Sequence, residues 1–257
     1  MSGVPRLSSC AAIAALAVCV VAGPMARPAS ASSFNVNPTQ LFLTGKATSA
    51  LLTIRNDSDE TLRFQLSAFA WDQSPTGELL LEPTTDVVFY PALLTLAPKE
   101  ERKVRVGRTA PAAATEKTYR IFVEEMPPLD EEGVSGAAVR MLTKMGVPIF
   151  VRPAKESATA TVSGLARQGD VVRFSLSNSG TVHFVPQQVT VKGMSGSNAV
   201  FEQTLDAWYV LAGGRRDFQT TVPKDSCAGV TSLLVEVAIG SSRLNETLDT
   251  PGGACMP

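Results

Sequence analysis

The side chains that usually carry catalysis are few in this sequence and fall into no catalytic pattern. The only histidine is His183, and a general base at that position would need a nucleophile in a recognisable frame. The sequence contains neither a Gly-x-Ser-x-Gly elbow nor a His-x-x-x-His pair, which are the spacings of serine hydrolases and of helical zinc sites. We therefore interpret His183 as a partly buried strand residue.

The carboxylates do not form an acid–base pair either. Glu124 and Glu125 are adjacent in a segment that reads as strand, so their side chains should point to opposite faces. Residues 130–132 are acidic and lie in a polar, glycine-containing stretch, and we interpret them as a solvated charge run. An exported hydrolase is therefore disfavoured, and we predict no enzyme activity and no cofactor.

The amino terminus is organised like a secretory signal peptide. Arg6 precedes the apolar run Cys10–Ala22, and Ala29-x-Ala31 fits a signal-peptidase site; the run is too short to span a bilayer. We predict cleavage after Ala31. Removing residues 1–31 deletes two arginines and leaves 21 basic against 24 acidic residues, a net charge of −3, which gives no indication of nucleic-acid binding.

The cysteines indicate one disulfide. Cys10 and Cys19 leave with the signal peptide, whereas Cys227 and Cys255 stay in the mature chain. An even pair in an exported protein favours a disulfide, which would close a loop of roughly 28 residues and stabilise the carboxy-terminal part by about 3 kcal/mol. Two free thiols are the alternative. A metal site needs more ligands than two cysteines and one distant histidine, so none is predicted.

From Phe34 onward, short apolar runs alternate with turn formers, which is typical of β-strands. About seven strands are predicted before Pro153, the count and spacing of an immunoglobulin-like sandwich. Seven more follow, two of them over residues 183–191 and 200–210. The sequence thus predicts an all-β protein with a signal peptide (1–31) and two immunoglobulin-like β-sandwich domains (32–153 and 154–257), the second carrying the disulfide.

The segment 62–71 alternates clearly between apolar and polar residues. Leu62, Phe64 and Leu66 should share one face of a strand. A bulge near Ala68 is expected to turn the aromatic residues Phe69 and Trp71 toward the same side.

The most strongly patterned strand is predicted from Val139 to Val151. Thr143 interrupts a stripe with period two that is formed by Val139, Met141, Met145, Val147, Ile149 and Val151. The preceding segment 129–136 is polar and contains glycines. Such a strand is either part of the core of its own sandwich or a surface for another chain.

Several blocks of the amino-terminal half carry a familiar order and spacing. They are FNVNPTQLFL (34–43), LLTIRNDS (51–58), FAW (69–71), PALLTLAP (91–98) followed by RKVRV (102–106), YRIFVEEMPP (119–128) and IFVRP (149–153). Together these blocks resemble the periplasmic chaperones of the chaperone–usher pathway, which help to assemble pili and fimbriae. Over residues 158–257 the resemblance depends only on length, strand count and the cysteine pair.

The resemblance implies two sandwiches arranged like a boomerang, with a cleft between them. It implies a non-enzymatic periplasmic chaperone that binds pilin or fimbrial subunits and delivers them to an outer-membrane usher. The subunit lacks one strand, and the chaperone lends it the strand that leads into Arg152-Pro153, a form of strand addition. On this interpretation the residues that bind the subunit are Val139, Met141, Thr143, Met145 and Val147.

One departure from the family concerns the anchor for the carboxylate at the end of the subunit. Many members use an arginine on the first strand and a lysine on the donor strand, and here those positions hold Gln40 and Pro148. Arg120 and Lys144 are the replacement candidates, because a carboxylate needs a cation near the cleft. Ordinary surface cations are the alternative for both. The departure favours a divergent branch of the family, such as the archaic type.

The resemblance also implies an ion pair between the domains. Glu116 and Arg152 fall where the family has this pair.

The competing function is a secreted two-domain immunoglobulin-like adhesin or structural subunit, which should carry a donor strand as an amino-terminal extension or lack one strand. Here the chain after Ala31 enters a predicted strand almost at once, which favours the chaperone.

Overall fold

Alternation of apolar and polar residues folds most of the described chain into β-strands. The computed structural model describes residues 33–129 and 141–250. Within the described residues up to Val151, ten strands form: β1 Phe34–Asn37, β2 Leu41–Leu43, β3 Ser49–Asn56, β4 Leu62–Gln73, β5 Leu79–Pro83, β6 Val87–Tyr90, β7 Leu93–Leu96, β8 Glu101–Arg108, β9 Lys117–Met126 and β10 Lys144–Val151.

The rest of the described chain contains seven strands and one short 3-10 helix. The strands are β11 Ala160–Gln168, β12 Val171–Asn178, β13 Gln188–Ser195, β14 Asn198–Leu205, β15 Arg215–Thr221, β16 Ser232–Ile239 and β17 Ser242–Asp249, and the helix is Lys224–Gly229. The predicted all-β class with two immunoglobulin-like sandwiches is confirmed.

The first sandwich consists of two packed sheets. One has the strand order β1-β3-β8-β6, and the other has the order β2-β10-β9-β4-β5, with β7 also paired to β4. Their facing sides bury a common core that includes Ile54, Phe64, Ile121 and Ile149. Ten strands replace the predicted seven because the edges are divided into short pieces such as β2 and β7.

The second sandwich has the sheets β11-β12-β15 and β14-β13-β16-β17 around a separate core. Two of its strands are shorter than predicted: β13 begins at Gln188 and β14 ends at Leu205. Before β13 and after β14, Phe184 and Val210 pair with each other in an isolated bridge. The chain leaves the sheet at 183 and at 206–209, where His183, Trp208 and Tyr209 contact aromatic rings of the first sandwich.

A buried asparagine closes the end of β3. The amide nitrogen of Asn56 lies within hydrogen-bond distance of the backbone carbonyls of Glu60, Leu96 and Ala97, at 2.7, 3.2 and 3.0 Å. Its Oδ1 accepts from the backbone N–H of Ser58 at 2.9 Å. One side chain therefore ties the end of β3 to the turn before β4 and to the end of β7.

The second sandwich uses the same device at the end of β12. The amide of Asn178 donates to the carbonyls of Val182 and Val210, at 2.9 and 3.1 Å, and its Oδ1 accepts from the N–H of Gly180. The two sandwiches thus share a structural feature, although their sequences do not align.

Replacing Asn56 with Ala should lower the free energy of unfolding by about 2–3 kcal/mol, because several buried carbonyls and one N–H lose their partner. Chemical denaturation of the mature chain measures this effect. Asn35 is exposed on β1, so Asn35→Ala is the matched control and should change stability by no more than about 0.5 kcal/mol. Equal losses in the two variants would contradict a structural role for Asn56.

Several expectations fall on parts of the chain outside the described residues. The signal peptide and Cys255 lie there, so cleavage after Ala31 and the pairing of Cys227 with Cys255 stay predictions; Cys227 itself is buried in the 3-10 helix. The domain boundary near Pro153 also stays a prediction, and the structure has no strand between the ends of β10 and β11. In residues 33–129 and 141–250, no helix is long and apolar enough to cross a membrane.

Candidate functional site

Strand β10 has one edge that is only partly covered. β9 pairs with it along its whole length, whereas β2 pairs only with residues 149–151 on the other side. In the described part of the chain, no strand pairs with that side of residues 144–148. An edge with unpaired backbone N–H and C=O groups can accept a strand from another chain. Pro148 has no N–H to offer, so it marks the end of the free segment.

The apolar stripe of the predicted donor strand is divided between core and surface. Val147 is only 2 % exposed and belongs to the first core, so it is not on the surface of the free chain, and its contact with a subunit stays a prediction. Pairing with β9 turns the odd-numbered side chains of β10 inward, and Met145 packs partly against the same core. Met141 is 64 % exposed and precedes the strand, as does the exposed Thr143. Val139 lies outside the described residues.

The side of this sheet that points away from the first core, called the outer face below, is rich in aromatic residues. The pairing of β4 with β9 is continuous over 63–70, so the predicted bulge near Ala68 is wrong. Ala68 packs against the core, and the alternation places Phe69 and Trp71 on the outer face. There Phe69 stands in register with Arg120, which in turn stands opposite Pro148.

Arg120 is a buried cation on the outer face. Its side chain is 7 % exposed, and the guanidinium carbon lies 4.3 Å from the ring centroid of Trp71 and 4.9 Å from that of Trp208. Among the described residues no carboxylate pairs with it, and its Nε has no hydrogen-bond partner. Burial lowers the pKa of the Arg120 guanidinium from its ordinary value, while Tyr209 acts in the opposite direction.

A buried cation without an anion is unfavourable by itself, because desolvation is not offset by a partner charge. The two tryptophan faces compensate in part through cation–π attraction. The arrangement is therefore suited to an incoming carboxylate, which would complete the charge pair. This is the chemistry that the predicted anchor requires.

Gly146 on β10 makes room for Arg120. A Cβ atom at Gly146 would lie 3.0 Å from Cδ of Arg120 and 2.9 Å from the ring of Phe122. Both distances are too short for ordinary packing, so a larger residue would displace the arginine stem or the ring. The missing side chain at Gly146 thus helps to position Arg120.

Lys144 is in a different environment from Arg120. Its Nζ lies 2.8 Å from a carboxylate oxygen of Glu124 and 5.0 Å from the ring centroid of Phe122, and half of its side chain is exposed. Lys144 and Pro148 are four residues apart on β10, which is about 13 Å along the strand. Pro148 stands opposite Arg120. The two cations therefore have different surroundings, and the prediction that they replace the usual anchor stays a prediction.

An aromatic cluster joins the two sandwiches next to Arg120. Its buried members are Trp71, Phe150, Tyr209 and Leu211. Gln40, which stands at the usual arginine position, donates from Nε2 to the hydroxyl of Tyr209 at 2.6 Å. Gln40 therefore supports the cluster from the first sandwich and provides no charge.

Glu116 links the two sandwiches, but to a different partner from the predicted one. One carboxylate oxygen accepts from the backbone N–H of His183 at 3.0 Å and lies 2.6 Å from Nδ1 of the same residue. The backbone N–H of Glu116 donates to the carbonyl of Thr181, which places the carboxylate beside His183. The His183 ring also stacks on Phe150 at 3.8 Å, so the histidine is a junction residue.

Arg152 does not contact Glu116, so the predicted ion pair between them is not formed. Its guanidinium lies 3.3 Å from Glu156 in the linker and 4.2 Å from the ring centroid of Phe42. The physical reason is that Glu116 is already held by two groups of His183, while Arg152 stacks on the aromatic ring nearest to it.

Replacing Glu116 with Ala should destabilise the mature chain by about 2–3 kcal/mol, because the buried N–H and ring nitrogen of His183 lose their acceptor. Arg152→Ala should cost no more than about 1 kcal/mol, since Arg152 pairs with a half-exposed carboxylate. Thermal unfolding of the two variants separates these values. Equal destabilisation would argue for the ion pair predicted from the sequence.

The sequence does not identify Trp208 and Tyr209 as site residues, because its pattern predicts a strand over 200–210. One signal was available: the chain has only two tryptophans, and both are near Arg120. Periodicity could not show this, since the residues come from different sandwiches.

Comparison with known proteins identifies the fold and the family. Residues 33–156 match the amino-terminal domain of PapD, described as a pili and flagellar-assembly chaperone. This match covers β1 to β10, the sandwich that carries the free edge and Arg120. No curated protein sequence matches the chain.

Solved structures of fimbrial chaperones share the fold of the whole described chain. The class 5 fimbriae chaperone CfaA has a TM-score of 0.56 at 15% identity, covering 85% of this chain and 100% of that one. The CsuC–CsuE chaperone–tip adhesion subunit pre-assembly complex, from archaic chaperone-usher Csu pili of Acinetobacter baumannii, gives 0.55 at 15% identity, with 84% and 98% covered. The Salmonella enterica SafA pilin in complex with the SafB chaperone gives 0.56 at 16% identity, with 85% and 98% covered.

Identities this low show the fold alone. The family match identifies the family of the first sandwich. The sequence blocks, the two immunoglobulin-like sandwiches and these comparisons agree. Residues 33–156 therefore belong to the PapD-type family of pilus-assembly chaperones, and the fold of both sandwiches is that of fimbrial chaperones.

Proposed function

We propose that this protein is a non-enzymatic periplasmic chaperone that holds incomplete pilin subunits by lending them a strand. The subunit adds to the free edge of β10, and its terminal carboxylate pairs with Arg120. The chaperone then delivers the subunit to an outer-membrane usher. The signal peptide predicted over residues 1–31 supports export.

The observation that carries this proposal is the position of Arg120 relative to the free edge. The uncovered segment 144–148 ends at Pro148, and Pro148 stands opposite Arg120 on the neighbouring strand. A strand added at this edge lies two spacings of about 4.8 Å from β9, so the arginine side chain has to reach across β10 to meet its end. Backbone hydrogen bonds would supply affinity, and one charge-assisted contact would set the register.

Side chains that precede β10 or lie at its start supply the apolar contacts in this proposal. Met141 and Leu142 are both exposed in the structure, and Met145 is partly buried. A flexible thioether adapts to pockets of different shape, which suits a chaperone for several related subunits. Thr143 and Val139 complete the proposed contact segment.

Co-expression tests the proposal directly. The tagged chain is produced together with small exported β-proteins encoded nearby, and the purified material is examined for a stable one-to-one complex. A complex that forms in the periplasm and protects the subunit from proteolysis supports the chaperone. A chain that captures no subunit and instead polymerises or binds a host surface would establish the adhesin or structural-subunit alternative.

A further inference from the structure

We infer that Trp208 forms a subsite for the side chain of the last residue of the captured subunit. This subsite selects subunits that end in an apolar or aromatic residue. The inference rests on the proposed function, because it takes Arg120 as the carboxylate anchor, and it adds a specificity that the anchor alone does not have.

The geometry around Arg120 places Trp208 within reach of any bound chain end. The guanidinium carbon lies 4.9 Å from the Trp208 ring centroid, and a carboxylate paired with a guanidinium lies within about 2.7–2.9 Å of its nitrogens. A carboxylate that approaches the guanidinium from the Trp208 side brings its α-carbon next to the indole, so the side chain on that carbon can lie on or beside the ring.

Trp208 is available for this contact, whereas its neighbour Trp71 is not. Trp208 is 41 % exposed and Trp71 is 3 % exposed, although Arg120 contacts both rings. An exposed tryptophan beside a buried, unpaired cation leaves a large apolar surface in contact with water. Burial of that surface on binding is favourable.

The ring of Trp208 is held in place from two directions. Its centroid lies 5.2 Å from that of Tyr209 and 6.0 Å from that of Trp71. Tyr209 is fixed in turn by the hydrogen bond from Gln40. The subsite is therefore preformed, and it needs residues from both sandwiches.

The chemistry of the subsite predicts an order among terminal residues. Phenylalanine and leucine can cover the exposed face of Trp208, and glycine has nothing to place there. A terminal lysine would bring a second cation beside Arg120, which is repulsive in a partly desolvated site. Terminal phenylalanine should therefore bind best, glycine more weakly, and lysine most weakly.

Calorimetric titration with synthetic peptides tests this order. The peptides share one alternating apolar sequence and end in Phe, Leu, Gly or Lys, with a Phe-amide peptide that lacks the carboxylate. We expect the Phe peptide to bind the mature chain about tenfold more tightly than the Gly peptide. Trp208→Ala should remove that preference but keep the discrimination against the amide, and Arg120→Gln should do the reverse.

Two more variants make the result decisive. Trp208→Phe should keep part of the preference, and Tyr90→Ala, which removes an aromatic side chain 80 % exposed on β6, should leave all affinities unchanged. The subsite is refuted if Phe and Gly peptides bind equally, if no peptide binds, or if Trp208→Ala keeps the preference. Capture of subunits in co-expression can succeed in each of these cases, so the proposed function is judged separately.

Discussion

Replacing Arg120 with Gln should abolish the capture of a pilin subunit while leaving the fold intact. The loss follows because a subunit carboxylate would be buried opposite a neutral amide. Truncating one member of a buried charge pair costs roughly 2–5 kcal/mol, which is about thirtyfold in affinity or more. The measurement is the amount of subunit recovered with the tagged chain after co-expression.

The stability of the free protein should respond in the opposite sense. Arg120 is a buried cation that pairs with no carboxylate among the described residues, so a neutral side chain removes a desolvation cost. The melting temperature of Arg120→Gln should therefore be equal to that of the wild type or higher. A folded variant with lost capture separates binding from folding.

Lys144→Gln is the matched control, since Lys144 is the other candidate cation on the same face. Its side chain is half exposed and already paired with Glu124, and surface pairs of this kind are worth about 1 kcal/mol or less. We expect capture to change by less than about fivefold. If Lys144→Gln abolished capture and Arg120→Gln did not, the anchor would be Lys144.

Replacing Met141 with Asp should reduce capture about 100-fold without a change in stability. Met141 is 64 % exposed and precedes β10, so an aspartate there remains hydrated in the free protein. In the complex it would face an apolar pocket, where an unpaired carboxylate is strongly unfavourable. Recovery of the subunit and thermal unfolding of the free chain measure the two effects.

Leu93→Asp is the control for an exposed apolar residue outside the donor segment. Leu93 is also 64 % exposed, on β7, so the substitution has the same chemistry and the same starting exposure. It should leave capture unchanged. Equal losses in Met141→Asp and Leu93→Asp would show that the donor segment has no special role.

The two predictions concern different steps of one binding event. Met141 tests whether side chains before β10 enter the subunit, and Arg120 tests where the added strand ends. Met145 is a less suitable probe, because it packs partly against the first core and its replacement would also disturb folding. If both variants fold and fail to capture, strand addition at the edge of β10 is supported at both ends.

The sequence alone was sufficient to predict the fold class and the family. Local features of the sequence do not depend on how the sheets are arranged. They include the alternation over segments such as 62–71, the turn formers between strands and the blocks that end in Arg152-Pro153. They predicted two all-β sandwiches; the structure confirms both, and the family match covers the first. The period-two stripe before Pro153 also identified the strand next to the site.

Only the tertiary structure decided which side chains of that strand are available. Periodicity shows which residues share a face, but it does not show whether another sheet covers that face. The partner sheet buries Val147, whereas Met141 stays exposed. The same limit applies to Glu116, whose partner His183 is remote in sequence.

Arg120 illustrates the same limit at the site itself. In the sequence it is one cation among many on predicted strands. In the structure it is buried against Trp71 of its own sandwich and Trp208 of the other. Its environment depends on how the two sandwiches meet, and contacts across such a junction leave no periodic signal in either half.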